Sequence, residues 1–171
     1  SAFADELRRG LPREYIGPED VFASLNTEPC GKHYRHAEKG GGAWMNGTRL
    51  RVSGRRKMIE SIFATGIPFG GKGTLPATLQ DFARIAPVTA GIRRMGSAAL
   101  DLAYVAAGRV DGYWERDIKA WDVAAGVLMV KEAGGFVETI RGEGPVVDAG
   151  NIVCANAALF PEFAGLVRER P

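Results

Sequence analysis

Cysteine and histidine are scarce: the 171 residues hold two of each, Cys30 and Cys154, His33 and His36. Two cysteines cannot build a disulfide framework, and no Cys/His group has the spacing of a zinc site. Cys154 lies in an apolar, strand-like run, where a thiol behaves as a small hydrophobe. No apolar run approaches the roughly 20 residues of a membrane-spanning helix, and the charged, amphipathic stretch from Ala2 to Leu11 does not read as a signal peptide. Excess charge is missing as well, since 22 basic and 20 acidic residues leave +2, too little to imply a nucleic-acid partner. Arg51 with Arg55, Arg56 and Lys57 forms the one basic cluster, read as a solvated loop. Repeats and low-complexity segments are absent. The default expectation is a cytoplasmic globular protein; the chain is 46% hydrophobic and long enough for one domain with a substantial core.

Helical and strand patterns alternate along the chain, with glycines between them. Phe3 to Leu11 suits a short helix, and Leu11 to Gly31, with Pro12, Pro18 and Pro29, reads as loop. Asn46-Gly47 between two apolar runs, Ala43–Met45 and Leu50–Val52, is a tight-hairpin signal because both residues tolerate positive φ. Ser61–Thr65 reads as a strand, Leu75–Ile85 as a helix, Ile92–Met95 as a strand and Ser97–Ala107 as a helix rich in alanine. Strands are expected at Gly112–Glu115, Phe136–Ile140 and Asn151–Ala155, and Asn156 should cap a last helix running to about Arg168. This order predicts an α/β sandwich.

The segment Trp121-Asp122-Val123-Ala124-Ala125-Gly126 places a carboxylate at a helix start, where the dipole and free backbone N–H groups can hold it while the helix behind stays buried. Trp121, Ala125, Leu128 and Met129 share one face of that helix. An Asp in a first turn is most often a cap, so capping and ligation both stand as readings of Asp122. Gly96 and Ser97 lie where a strand becomes a helix, with backbone N–H groups open to a polar ligand and Ser97 a plausible N-cap. Glu115 and Asp117, two apart, would share a face of an extended strand unless a loop separates them.

Trp-Asp-x-Ala-Ala-Gly followed by Glu132-Ala133-Gly134-Gly135 resembles the C-terminal signature of the inositol monophosphatase family of magnesium-dependent phosphatases. Ala37 to Ala43, Asn46-Gly47, Ala64-Thr65-Gly66-Ile67-Pro68-Phe69, Arg93 to Asp101 and Asn151 to Asn156 resemble further family landmarks, in the family's order, over about residues 36–170. The resemblance implies the layered αβαβα sugar-phosphatase fold, of which this chain would supply an αβα portion. It also implies Asp122 as a ligand of Mg²⁺, and Glu115, Gly96, Ser97 and Ala98 as contacts to inositol phosphate or a related polyol phosphate.

The family's upstream Asp-Pro-x-Asp-Gly-Thr motif and an earlier Glu are not found here. Residues 1–35 are therefore left unassigned, with residues 36–171 as the phosphatase-like domain, and the chain is expected to be the C-terminal half of such an enzyme. Magnesium takes about six oxygens, and two-metal phosphatases hold their ions roughly 3.5–4 Å apart; Asp122 alone cannot meet that demand. Three expectations follow: a Mg²⁺-dependent polyol phosphatase, a catalytically incomplete remnant, or a module for dimerisation or partner binding. A half-fold should expose an apolar face or strand edge, which favours a homodimer.

Overall fold

The computed structural model describes residues 23–26, 34–68 and 73–168. The expected helix at Phe3–Leu11, together with Cys30 and His33, lies outside them.

A five-stranded sheet holds the centre, in the order β6 (Gly91–Arg93), β5 (Ile62–Thr65), β7 (Gly112–Arg116), β9 (Asn151–Ala155), β8 (Phe136–Glu138). The first three run parallel, and β9 and β8 pair antiparallel. Side chains alternate across the pleat. Ala64, Tyr113, Ile152 and Cys154 enter one core with α2 (Ala98–Ala106) and α3 (Ala120–Glu132). Phe63, Trp114, Val153 and Ala155 enter the other, under α1 (Leu75–Ile85) and α4 (Phe160–Val167). There Trp114 meets Phe82 and Phe163 edge-on. Gly126 allows α2 and α3 to approach closely, since a Cβ on it would lie 2.5 Å from the Leu102 Cβ.

Beyond α3 lies a second, antiparallel sheet, β1 (Ala23–Asn26), β2 (Tyr34–Glu38), β3 (Gly42–Met45) and β4 (Thr48–Arg49). Ala37 and Ala43 bury against the α2–α3 layer. Glu132, the last residue of α3, takes the Gly40 N–H on Oε1 at 2.9 Å and the Gly42 N–H on Oε2 at 3.0 Å, which fastens this sheet to the helix. The molecule thus contains the expected αβα portion with a further β layer on one side.

Several local expectations shift. The loop read at Leu11–Gly31 contains β1, whose partner β2 lies beyond it in sequence. The hairpin turns at Asn46 (φ 49°) and Gly47 (φ 77°), with β4 starting at Thr48, ahead of the expected Leu50–Val52 run. The buried stripe of α3 is Val123, Gly126, Val127, Met129 and Val130, and Trp121 stands 80% exposed. Helix α4 starts at Phe160; Asn156 Oδ1 instead accepts the Ala158 and Leu159 N–H groups in the turn before it. Arg55 in the basic cluster is not simply solvated, because it pairs at 3.1 Å with the buried Asp111.

Candidate functional site

In an open α/β sheet, the carboxyl ends of the parallel strands form a crevice that receives ligands. Here β5, β6 and β7 end on the same edge, and the residues that the resemblance implies lie on the elements that leave it. Gly96, Ser97 and Ala98 form the step from β6 into α2, Glu115 is near the end of β7, and Asp122 lies in the first turn of the helix that follows. Gly96 has φ 87°, a backbone that side chains rarely adopt, and Ser97 Oγ accepts the Leu100 N–H at 3.4 Å as the α2 N-cap. The start of α2 offers the crevice its dipole and backbone donors.

Glu115 is fixed from two sides. The Tyr113 hydroxyl, two residues earlier on the same face of β7, donates to Glu115 Oε2. Gly66, just beyond β5, leaves the room in which the carboxylate lies. Asp101, one turn into α2, is 1% exposed. Burial and then the charge of Glu115 push its carboxyl up to about 7, with Arg94 acting in the opposite direction. Burial, followed by Glu115, also raises Tyr113, so the phenol keeps its proton. Tyr113, Asp101 and Gly66 were not singled out as site residues in the sequence. Asp101 reads there as an ordinary first-turn acid, and the contact between Gly66 and Glu115 has no local signal.

Asp122 Oδ2 accepts the Lys119 N–H at 3.3 Å, so it does cap α3. Its other oxygen has no hydrogen-bond partner among the described residues. Those residues also contain no group of three or more His, Cys, Asp or Glu side chains able to hold a metal ion. Asp122 by itself does not fit a bound divalent cation, which takes about six oxygens.

Asp117 is separated from Glu115. Its φ of 60° turns the chain after β7, and it lines a different cleft, of about 950 Å³, with Arg116, Thr139, Arg141 and Asn151. Arg116 leaves the opposite face of β7 from Glu115, so this cleft is not the crevice. Its arginines are largely committed: Arg116 Nε lies 2.8 Å from the buried Asp81, and Arg168 pairs with Glu138. No helix among the described residues is long and apolar enough to cross a membrane.

Comparison with known proteins identifies relatives of the chain and of its fold. An inositol-1-monophosphatase of Rhizobium meliloti is 52% identical over 137 residues, covering 80% of this chain and 52% of that protein. The Nus factor SuhB of Pseudomonas aeruginosa is 47% identical over 72% of this chain and 46% of its own. Among solved structures, the extragenic suppressor protein suhB from Bartonella henselae superposes with a TM-score of 0.76 at 40% identity, covering 81% of this chain and 54% of that one. The chain spans about half the length of the relatives it matches. The profile of the inositol monophosphatase family covers residues 20–171, starting upstream of the landmarks read from the sequence. The chain belongs to the inositol monophosphatase family.

Proposed function

We propose that this chain forms the polyol-binding wall of a phosphatase that hydrolyses inositol phosphate or a related polyol phosphate monoester. The observation that carries this is the setting of Glu115: a carboxylate held by Tyr113 and lodged against Gly66, on the same sheet edge as the start of α2. A carboxylate accepts hydroxyl donors, and a helix start with free N–H groups receives an anion. The two together suit a ring that carries hydroxyls and a phosphate. Glu115 orients the polyol, and the backbone of Gly96, Ser97 and Ala98 receives its polar groups.

The family is metal-dependent, and Mg²⁺ is the proposed ion, with Asp122 as its proposed ligand among the described residues. Such an ion would supply Lewis acidity to the phosphate and activate water. The described residues do not complete its coordination, so their own part is binding and orientation. A module that only binds partners is not favoured, because relatives such as that of Rhizobium meliloti carry the name inositol-1-monophosphatase. A cytoplasmic homodimer is proposed alongside. The buried free thiol of Cys154 suits a reducing compartment.

The test is calorimetric titration of inositol 1-phosphate into the parent and Glu115→Gln, with circular dichroism as the folding control. The parent should bind, and the variant should bind more weakly. No binding by the parent, or equal affinities, would overturn the reading.

A further inference from the structure

One buried carboxyl beside the crevice has no part in the polyol contacts proposed above. Asp101 is 1% exposed, and its Oδ1 is buried without a hydrogen-bond partner. A structural carboxylate in such a place normally accepts backbone or side-chain donors, because an unpaired buried charge is strongly disfavoured. The groups facing Asp101 come from three elements: Glu115 and Tyr113 from β7, Cys154 from β9, and Arg94 from the turn before α2. Burial raises both the Tyr113 hydroxyl and the Cys154 thiol, so neither takes a charge near neutral pH. A buried carboxyl whose Oδ1 has no hydrogen-bond partner resists ionisation, so Asp101 keeps its proton toward the neutral range. Burial first and then the charge of Glu115 raise its midpoint to about 7, with Arg94 acting in the opposite direction.

We propose that Asp101 is a positioning residue that acts through Glu115, a reading that rests on the polyol pocket described above: the proton on Asp101 decides whether the pocket wall carries one negative charge or two. While Asp101 holds its proton, Glu115 is the charged acceptor, steadied by Tyr113 and available to polyol hydroxyls. Loss of that proton places a second charge behind the pocket. The new charge repels the Glu115 carboxylate and any ligand bearing phosphate. Polyol phosphate binding therefore weakens on the alkaline side through Asp101, whichever groups perform the chemistry.

The experiment follows the ¹³C carboxyl resonance of Glu115 from pH 5 to 9 in the parent chain and in Asp101→Asn, without ligand. The parent should show a step in the Glu115 signal near pH 7, and the variant should lack it. No neutral step, or the same step in both proteins, overturns the proposal. A second arm measures inositol 1-phosphate affinity at both ends of that range. The phosphate's own second ionisation, near pH 6, is common to both proteins and cancels in their ratio. Parent affinity relative to the variant should fall severalfold toward high pH, and a constant ratio counts against the proposal. A Glu115 step with no inositol phosphate binding at any pH supports the link between the two acids and overturns the polyol reading instead. If Asp101→Asn does not fold, Arg94→Gln in the exposed turn should move the Glu115 step to higher pH. An unmoved step there overturns Asp101 as its source.

Discussion

A Cβ built on Gly66 would fall 2.0 Å from Oε1 and 2.4 Å from Oε2 of Glu115, so the Glu115 carboxylate occupies the space that any larger residue at position 66 would take. The two residues are 49 positions apart and meet because β5 and β7 are parallel neighbours in register.

Gly66→Ala should therefore displace the Glu115 carboxylate and break its bond from Tyr113, while the sheet persists. Inositol 1-phosphate affinity should drop by about tenfold, the worth of one hydrogen bond to a charged acceptor. Titration calorimetry with a circular dichroism control checks this, and unchanged affinity would show that the Gly66 contact is only packing.

Asp122→Asn keeps an oxygen for the Lys119 N–H, and Asn caps helices about as well as Asp. Its melting temperature should stay within about a degree or two of the parent's, since a change of a few tenths of a kcal/mol moves it no further. Affinity for Mg²⁺ or Mn²⁺ should fall. Equal metal affinity in the two proteins would leave Asp122 as a cap alone.

Taken as it stands, the chain should release no phosphate from inositol 1-phosphate in Mg²⁺ above a metal-free control, because its described residues gather no group of three or more side chains able to hold a metal ion, and a single ligand does not do the work of a full set. A Mg²⁺-dependent rate that persists through repurification and vanishes in Asp122→Asn would contradict this.

Asp101 makes stability depend on pH with a definite sign. Its carboxyl rises from 3.8 to about 7 on folding, so the native state binds a proton that the unfolded chain releases above about pH 4. Stability from this group is fully present below pH 3.8 and declines as pH rises to about 7. The full loss is about 4 kcal/mol at most, at roughly 1.4 kcal/mol per pH unit. Asp101→Asn lacks this slope, so it should melt above the parent at pH 8 by several degrees more than it does at pH 4. Thermal melts at both values decide it, and a difference that does not change with pH would be the contrary result.

Much of the fold was legible because its signals are local. Leu75–Ile85 forms the helix over the same bounds that its periodicity predicts, and Asn151–Ala155 the strand. Asn46-Gly47 turns the chain because both residues sit at positive φ. What escaped depends on distant partners. β1 is a strand through its pairing with β2, and nothing within Ala23–Asn26 announces that pairing. Helical spacing puts Trp121 on one face with Ala125, Leu128 and Met129, yet at the start of α3 it stands exposed. Of the crevice, Glu115, Asp122 and the Gly96–Ala98 step came from motif wording, whereas Asp101, Tyr113 and Gly66 became visible only when β5, β7 and α2 were brought side by side.

The grip of Glu132 on the Gly40 and Gly42 N–H groups gives α3 a mechanical role. An acid at a helix C-terminus opposes the helix dipole, and here two backbone donors from another layer offset that penalty. The same helix carries Asp122 in its opening turn, ten residues and about 15 Å away along its axis. α3 is thus a stiff rod, clamped at its tail by the outer hairpin loop and bearing a carboxylate at its tip. The outer sheet is thereby tied, through one side chain, to the same helix that carries Asp122.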